Sequence, residues 1–177
     1  MEIKALTNEQ LDLFVEYLIR QIKTNGMNGE ALYLPIAPGK EYLTPAKVEK
    51  MKSGVEIEIG QPGWRRYWVI CDDNGDMIAH IDLRSRDEPN TAHRALLGMG
   101  MDVKHRGKGI GSRLVKFVLD WAKQQPAIEW VDLQVMDNNV AGVKLYQKMG
   151  FELQGRYESM FCIDSEFYNY LSMTRRV

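Results

Sequence analysis

The sequence predicts a mixed α/β domain, a mostly antiparallel sheet flanked by helices, and three observations carry that reading. Residues 97–122 begin as an apolar strand, pass through a glycine-rich turn and continue as a helix. Two pairs of strand-like runs, 64–71 with 77–84 and 158–163 with 166–173, enclose turn signals. Apolar residues recur at three-and-four spacing over 11–22, the pattern of a helix that buries one side. With 177 residues the chain is long enough for one core and short for two, so a single domain spanning 1–177 is expected.

In chain order, residues 2–6 alternate and are expected as a first strand. Thr7 with Gln10 has the spacing of a capping box, opening a helix in which Leu11, Phe14, Val15, Leu18, Ile19 and Ile22 line one side up to about Asn25-Gly26. From 27 to 63 the periodicity weakens; Pro35, Pro38 and Gly39 argue for irregular backbone, and Thr44-Pro45 starts a short helix through about Lys52. Asp72-Asp73-Asn74-Gly75-Asp76 joins the next two strands as a hairpin. The central strand, 93–103, contains Gly98 and Gly100, which fit a strand only where the backbone bulges or something packs close against it. Residues 128–135 form another strand, with Trp130, Asp132 and Gln134 facing away from Val131, Leu133 and Val135, and a helix carrying Tyr146 comes after it. A hairpin about Asp164-Ser165 completes the sheet.

Composition narrows the function classes. A formal charge of -1 gives no support for a nucleic-acid surface or a polybasic membrane anchor. No apolar run approaches the roughly 20 residues of a bilayer span, and Met1-Glu2-Ile3-Lys4 lacks a signal-peptide core, so a cytoplasmic protein is the default expectation. Cys71 and Cys162 lie in apolar runs and read as small buried hydrophobes without zinc spacing; no metal is expected. Trp64, Arg65, Arg66 and Trp68 form an aromatic and basic cluster that would suit nucleic acid or an anionic acceptor, but it reads first as a strand edge with snorkelling arginines.

The chemistry concentrates at Arg106-Gly107-Lys108-Gly109-Ile110-Gly111, at the mouth of the helix in which Leu114, Val115, Val118, Leu119 and Ala122 recur. Glycines let the backbone approach a ligand closely, and the unpaired amides of a helix start suit phosphate oxygens. This is the chemistry of a pyrophosphate cradle. A Walker A loop needs Ser or Thr after its Lys, whereas Gly109 follows Lys108, and the glycine spacing is not that of the dinucleotide fingerprint.

What fits is Arg-x-x-Gly-x-Gly, from Arg106 through Gly109 to Gly111, and downstream Asn139, Leu145-Tyr146 and Gly150-Phe151 in order. On these two motifs the chain resembles the GCN5-related N-acetyltransferase (GNAT) superfamily. The family's usual Ala between Asn139 and Leu145 is Gly142 here. The resemblance implies the GNAT acyl-CoA N-acyltransferase fold with a bulged, splayed central strand, and acetyl-CoA as cosubstrate. It implies that backbone groups of Met99, Gly100 and Met101 pair with the pantetheine arm and polarise the thioester carbonyl. The amides of Gly107, Lys108, Gly109, Ile110, Gly111 and Ser112 would take the phosphates, with the side chains of Arg106 and Lys108 adding screened attraction. Tyr146 is the implied acid for the CoA sulfur. Asn139 would hold pantetheine or an ordered water, and by position alone it is also a helix cap.

The base is not legible. Positions that carry an acid or histidine in several relatives of this kind align with Ala95 and Leu97, which take no proton. His80, Asp82 and Asp132 remain, acting through water, with His93 equally open; Arg84, Arg86 and Arg94 are candidates for holding an acidic acceptor. The resulting expectation is an N-acetyltransferase acting on a primary amine, of a small molecule or of a protein, by direct attack in a ternary complex. No cysteine sits in the motifs to hold an acyl intermediate. The competing expectation is a non-catalytic acyl-CoA-binding or regulatory module. A homodimer paired through the final strands is the expected assembly, with no nucleic acid or membrane as partner.

Overall fold

A computed structural model describes the backbone of residues 1–177 and every side chain except that of Asn28. The strand signals assemble into one seven-stranded sheet built from β1 (Ile3–Ala5), β2 (Arg65–Cys71), β3 (Met77–Ser85), β4 (Arg94–Met101), β5 (Trp130–Met136), β6 (Glu152–Ile163) and β7 (Glu166–Arg176). Their spatial order is β1-β2-β3-β4-β5-β7-β6, and every neighbouring pair is antiparallel except β4 with β5. The helices are α1 (Leu11–Lys23), α2 (Pro45–Ser53), α3 (Ile110–Ala122) and α4 (Val140–Lys148).

Local chemistry sets the element ends. The Thr7–Gln10 capping box closes, the Gln10 side chain accepting from the Thr7 N–H at 3.2 Å. Thr44 Oγ1 accepts from the Lys47 N–H at 3.4 Å, with Pro45 at the first helical position of α2. Asp72 Oδ1 accepts from the amides of Asn74 and Asp76, each at 3.0 Å, and so shapes the β2–β3 turn. Asp164 and Ser165 both take positive φ, 50° and 68°, as the tight β6–β7 turn requires.

One face of the sheet is apolar: Ile81, Leu83, Ala95, Leu97, Val131, Leu133 and Met173 pack against Ile110, Leu114, Val115, Val118 and Leu119 of α3. Each of the larger of these buried side chains contributes about 1.5–3 kcal/mol, so this layer fixes α3 on the sheet. The other face is covered on the β2–β3 side by Phe14, Tyr17 and Met51 of α1 and α2, lying on Tyr67 and Val69.

Several expectations are corrected. The buried face of α1 is Leu11, Phe14, Tyr17 and Gln21, while Ile19 is 41% exposed; Tyr17 and Gln21 bury because their polar tips find Gly100 and Asp102. β6 starts at Glu152 rather than 158. Cys162 is exposed, not buried, because most of β6 lies on an open edge. β2 is interior, with Trp64 and Trp68 buried, and the Arg66 guanidinium donates to the carbonyls of Val55 (2.8 Å) and Ile57 (3.0 Å), so it ties down the loop after α2. The last strand, β7, lies between β5 and β6, which leaves β6 as the edge for any pairing of sheets. No helix among the described residues is long and apolar enough to cross a membrane.

The parallel pair β4–β5 is short. It holds at Arg94↔Trp130, Ala95↔Val131 and Leu96↔Asp132, and beyond Leu96 the two strands diverge into a fork. The central strand is therefore splayed as expected, but it is not bulged against β3. That ladder runs in unbroken register from Ala79↔Met101 to Ser85↔Ala95. The glycines answer to close packing instead: a Cβ on Gly98 would lie 2.3 Å from Asp82 Oδ1, and one on Gly100 2.5 Å from His80 Cε1.

Candidate functional site

The register of β4 decides which backbone groups face the fork. The Asp102 N–H donates to the Ile78 carbonyl at 2.9 Å, which makes Ile78–Asp102 a hydrogen-bonded pair; at a two-residue period, His80–Gly100 and Asp82–Gly98 are hydrogen-bonded too. The backbone of Gly100 is thus spent on β3, contrary to its expected place beside Met99 and Met101. The units of Leu97, Met99 and Met101 point the other way, where β5 has already left. Their side chains pack toward α3, so only their N–H and C=O groups line the gap.

Beside the fork stands the glycine turn. Gly107 and Gly109 take φ of 74° and 78°, and a Cβ at either would meet nothing within 4 Å, so both lie open to solvent. Among the described residues the amides of 107–112 have no backbone partner; pairing resumes where Arg113 N–H donates to the Gly109 carbonyl. Six unpaired donors at the start of a 13-residue helix make an anion receptor. Gly111 lets the start of α3 press on α4, a Cβ there lying 3.0 Å from Leu145. Ile110 is buried in the core and Ser112 half-buried, so both offer backbone rather than side chain. Lys108 is exposed. Arg106 is not free: its guanidinium meets Glu30 Oε2 at 2.6 Å and lies over the Tyr33 ring at 5.9 Å.

Tyr146 projects from α4 and is buried, its ring edge-on to Phe151 at 5.8 Å. Burial, then the charge of Asp82, then Tyr170, push its hydroxyl well above the usual phenol range. Asp82 and Tyr170 stand on the sheet face away from the core that Tyr146 joins, so the hydroxyl end of Tyr146 lies toward that side. It has no hydrogen-bond partner among the described residues, yet it is not one of the sealed, unpartnered interior atoms, which are Trp64 Nε1, His105 Nδ1 and Asn138 Oδ1. Asn139 caps α4, its Oδ1 accepting from the Gly142 N–H at 3.1 Å. Gly142 permits this: a Cβ there would lie 2.8 Å from Asn139 Nδ2.

On the face away from α3, register aligns a polar stripe across five strands: Arg65 and Tyr67, Asp82 and Arg84, Leu96, Asp132 and Gln134, Ser172 and Thr174. Asp82 bonds Arg84 at 2.7 Å. Asp132 accepts from Arg94 Nε (2.8 Å), Arg86 (3.0 Å) and Thr174 Oγ1 (2.6 Å). Burial raises both carboxyls, but these partners outweigh it and hold them below the ordinary range. They are weak bases. His80 is buried, its Nδ1 3.2 Å from Tyr17 Oη, and burial pushes its pKa down to about 4. None of the three expected bases is therefore poised to take a proton near neutrality.

His80 makes stability fall as the pH falls. Its folded value lies near 4 and the unfolded value is 6.5, so between the two the unfolded chain binds more protons. The contribution is intact above 6.5, and about 2 kcal/mol is expected to be lost from pH 7 to pH 5. Urea midpoints at the two pH values measure it, and His80→Gln should flatten the difference; an unchanged difference in the variant contradicts the assignment. Asp82 and Asp132, with depressed values, add losses only below about pH 4.

Sequence reasoning set Arg65 aside as a strand-edge arginine and missed the coherence of the stripe. The signal was present in 79–84, where His80, Asp82 and Arg84 alternate strictly with apolar residues in a strand covered on both faces.

An open-ended amide cradle, a fork of unpaired strand groups and a tyrosine between them is the arrangement the two motifs imply. The chain belongs to the acetyltransferase (GNAT) family, whose model matches residues 38–151. It is 25% identical over 115 residues to the L-amino acid N-acetyltransferase AaaT of Escherichia coli strain K12, covering 65% of this chain and 70% of that one. It is 27% identical over 73 residues to a spermine/spermidine N(1)-acetyltransferase of Bacillus subtilis strain 168, covering 41% of this chain and 48% of that one. In fold it matches a phosphinothricin acetyltransferase of Sinorhizobium meliloti solved in complex with AcCoA, with a TM-score of 0.77 at 16% identity over 99% of this chain and 88% of that one.

Proposed function

We infer that this chain is an acetyl-CoA-dependent N-acetyltransferase acting on a primary amine by direct attack within a ternary complex. The observation that supports it most is the continuity of the site: unpaired amides at 107–112 lead to the unpaired backbone of Leu97, Met99 and Met101, and Tyr146 overlooks both. Bound acetyl-CoA supplies an activated acetyl thioester. The open turn at Gly107 and Gly109 fits a diphosphate, and the amides of 107–112 hold it. The fork groups accept an extended amide-bearing arm as a missing strand would be accepted. An N–H of Leu97 or Met99, fixed by the β3 ladder, polarises the carbonyl without reorganisation. The Tyr146 O–H, kept protonated by burial, donates toward sulfur. Arg106 must exchange Glu30 for phosphate if its side chain takes part.

The amine loses its proton to water, since His80, Asp82 and Asp132 are each neutralised or paired. The burial or pairing of these three is also what favours the second reading, an acyl-CoA binder without turnover. Thiol release from acetyl-CoA across an amine panel separates them. Saturable release with formation of an N-acetyl product is expected; tight acetyl-CoA binding with no turnover on any amine contradicts the enzyme.

A further inference from the structure

We propose that the cavity at the mouth of the fork takes an amine that carries its own carboxylate, and that Arg65 holds that carboxylate. This deepens the acetyltransferase reading and rests on it. The cavity, of about 210 Å³, lies on the face away from α3 and is lined by Lys50, Arg65, Arg84, Leu96 and Gln134 among others. Leu96 is the last residue of β4 paired to β5, and Gln134 stands on β5 past the divergence, so the cavity opens directly beside the Leu97 backbone. A small acceptor seated there has its amine within reach of the position where the thioester carbonyl is polarised.

The charges of the cavity select the acceptor. Arg84 is paired with Asp82, Arg86 with Asp132 and Glu88, and Lys50 with Asp87 at 2.9 Å. Arg65 has no carboxylate within 4 Å among the described residues. It donates to the Tyr67 hydroxyl at 3.0 Å and lies over that ring at 5.8 Å. These contacts fix the direction of the guanidinium while leaving most of its five donors unspent. A half-buried guanidinium held in place with no carboxylate bonded to it, and feeling Asp82 and Asp87 only at longer range, is matched by a planar carboxylate, which it can bind through two parallel hydrogen bonds. A polyamine would instead bring extra cations against Arg65, Arg84 and Arg86. Arg84, Arg86 and Arg94, the expected carboxylate holders, are committed to Asp82 and Asp132 and position the stripe rather than the acceptor.

The test compares L-leucine, L-phenylalanine and L-glutamate with their α-carboxamides and with spermidine, by thiol release on the wild-type chain. The expected result is a kcat/KM about 10- to 100-fold higher for the best amino acid than for its amide, and least for spermidine, as loss of a charge-assisted hydrogen bond implies. Arg65→Gln should raise the amino-acid KM by a similar factor, leave the acetyl-CoA KM unchanged and abolish the preference for acid over amide. Equal or better turnover of the amides or of spermidine overturns the proposal while leaving the acetyltransferase reading intact. If no amine turns over, that reading fails by itself. Calorimetric binding of the same acids and amides to the CoA-loaded protein then decides the Arg65 site, tighter binding of the acids supporting it and equal or absent binding overturning it.

Discussion

Tyr146→Phe is expected to lower kcat by about 10²- to 10³-fold while changing the acetyl-CoA KM by less than about twofold. The substitution removes one oxygen and keeps the ring against Phe151, so packing is preserved. Because the hydroxyl makes no hydrogen bond to a described residue, the folded state loses no internal partner, and thermal stability should hold within about 1 kcal/mol. The split between a large loss in kcat and a small change in KM separates a proton donor from a wall of the cofactor site. Steady-state kinetics with a melting curve on the same sample make the measurement. An unchanged kcat would remove Tyr146 from the chemistry and return it to the core.

The second large effect is on stability, at Gly98. A methyl group there would sit 2.3 Å from Asp82 Oδ1 and 2.8 Å from an Arg84 nitrogen, the two ends of a bridge that is itself largely buried. Either β4 moves away from β3 or the ends of Asp82 and Arg84 shift within a packed face and strain or break their bridge, and breaking a buried pair costs more than ordinary overpacking. Gly98→Ala is expected to cost about 3 kcal/mol, with Tm lower by roughly 10 °C. Denaturant unfolding checks it. A variant as stable as the wild type would mean that the glycine is not there to admit Asp82, and the bulge expected from the sequence would need to be reconsidered.

How far the sequence could be read follows from how local each feature is. The cradle was legible because positive φ at glycine and the onset of apolar periodicity are properties of consecutive residues, and Gly107, Gly109 and the α3 stripe behave as such. The hairpin at Asp72 was legible for the same reason: one carboxylate satisfies two nearby amides. The meaning of Gly98 and Gly100 was only half legible. Two explanations were open, and choosing between them needs the register that sets them opposite Asp82 and His80.

The polar stripe was illegible because its members come from five strands. Arg65, Arg84, Leu96 and Gln134 share a cavity only through pairing that no window of sequence displays. The first half of β6 was missed because it lies on an edge, where Leu153 and Tyr157 are more than half exposed and no inside-outside alternation survives. The face of α1 was misassigned because periodicity counts apolar residues. Here Tyr17 and Gln21 are buried by their polar contacts, while Ile19 faces solvent.

The central claim is that the amides of 107–112 hold a diphosphate while the fork holds the arm that follows it. Calorimetric titration of the folded chain with acetyl-CoA, and in parallel with S-acetyl-pantetheine lacking the nucleotide diphosphate, tests it most directly. One-to-one binding of acetyl-CoA, weakened at least about 100-fold in the truncated compound, is the predicted result, since several charge-assisted hydrogen bonds are lost together. No binding of acetyl-CoA to folded protein, or equal binding of the two compounds, would contradict it.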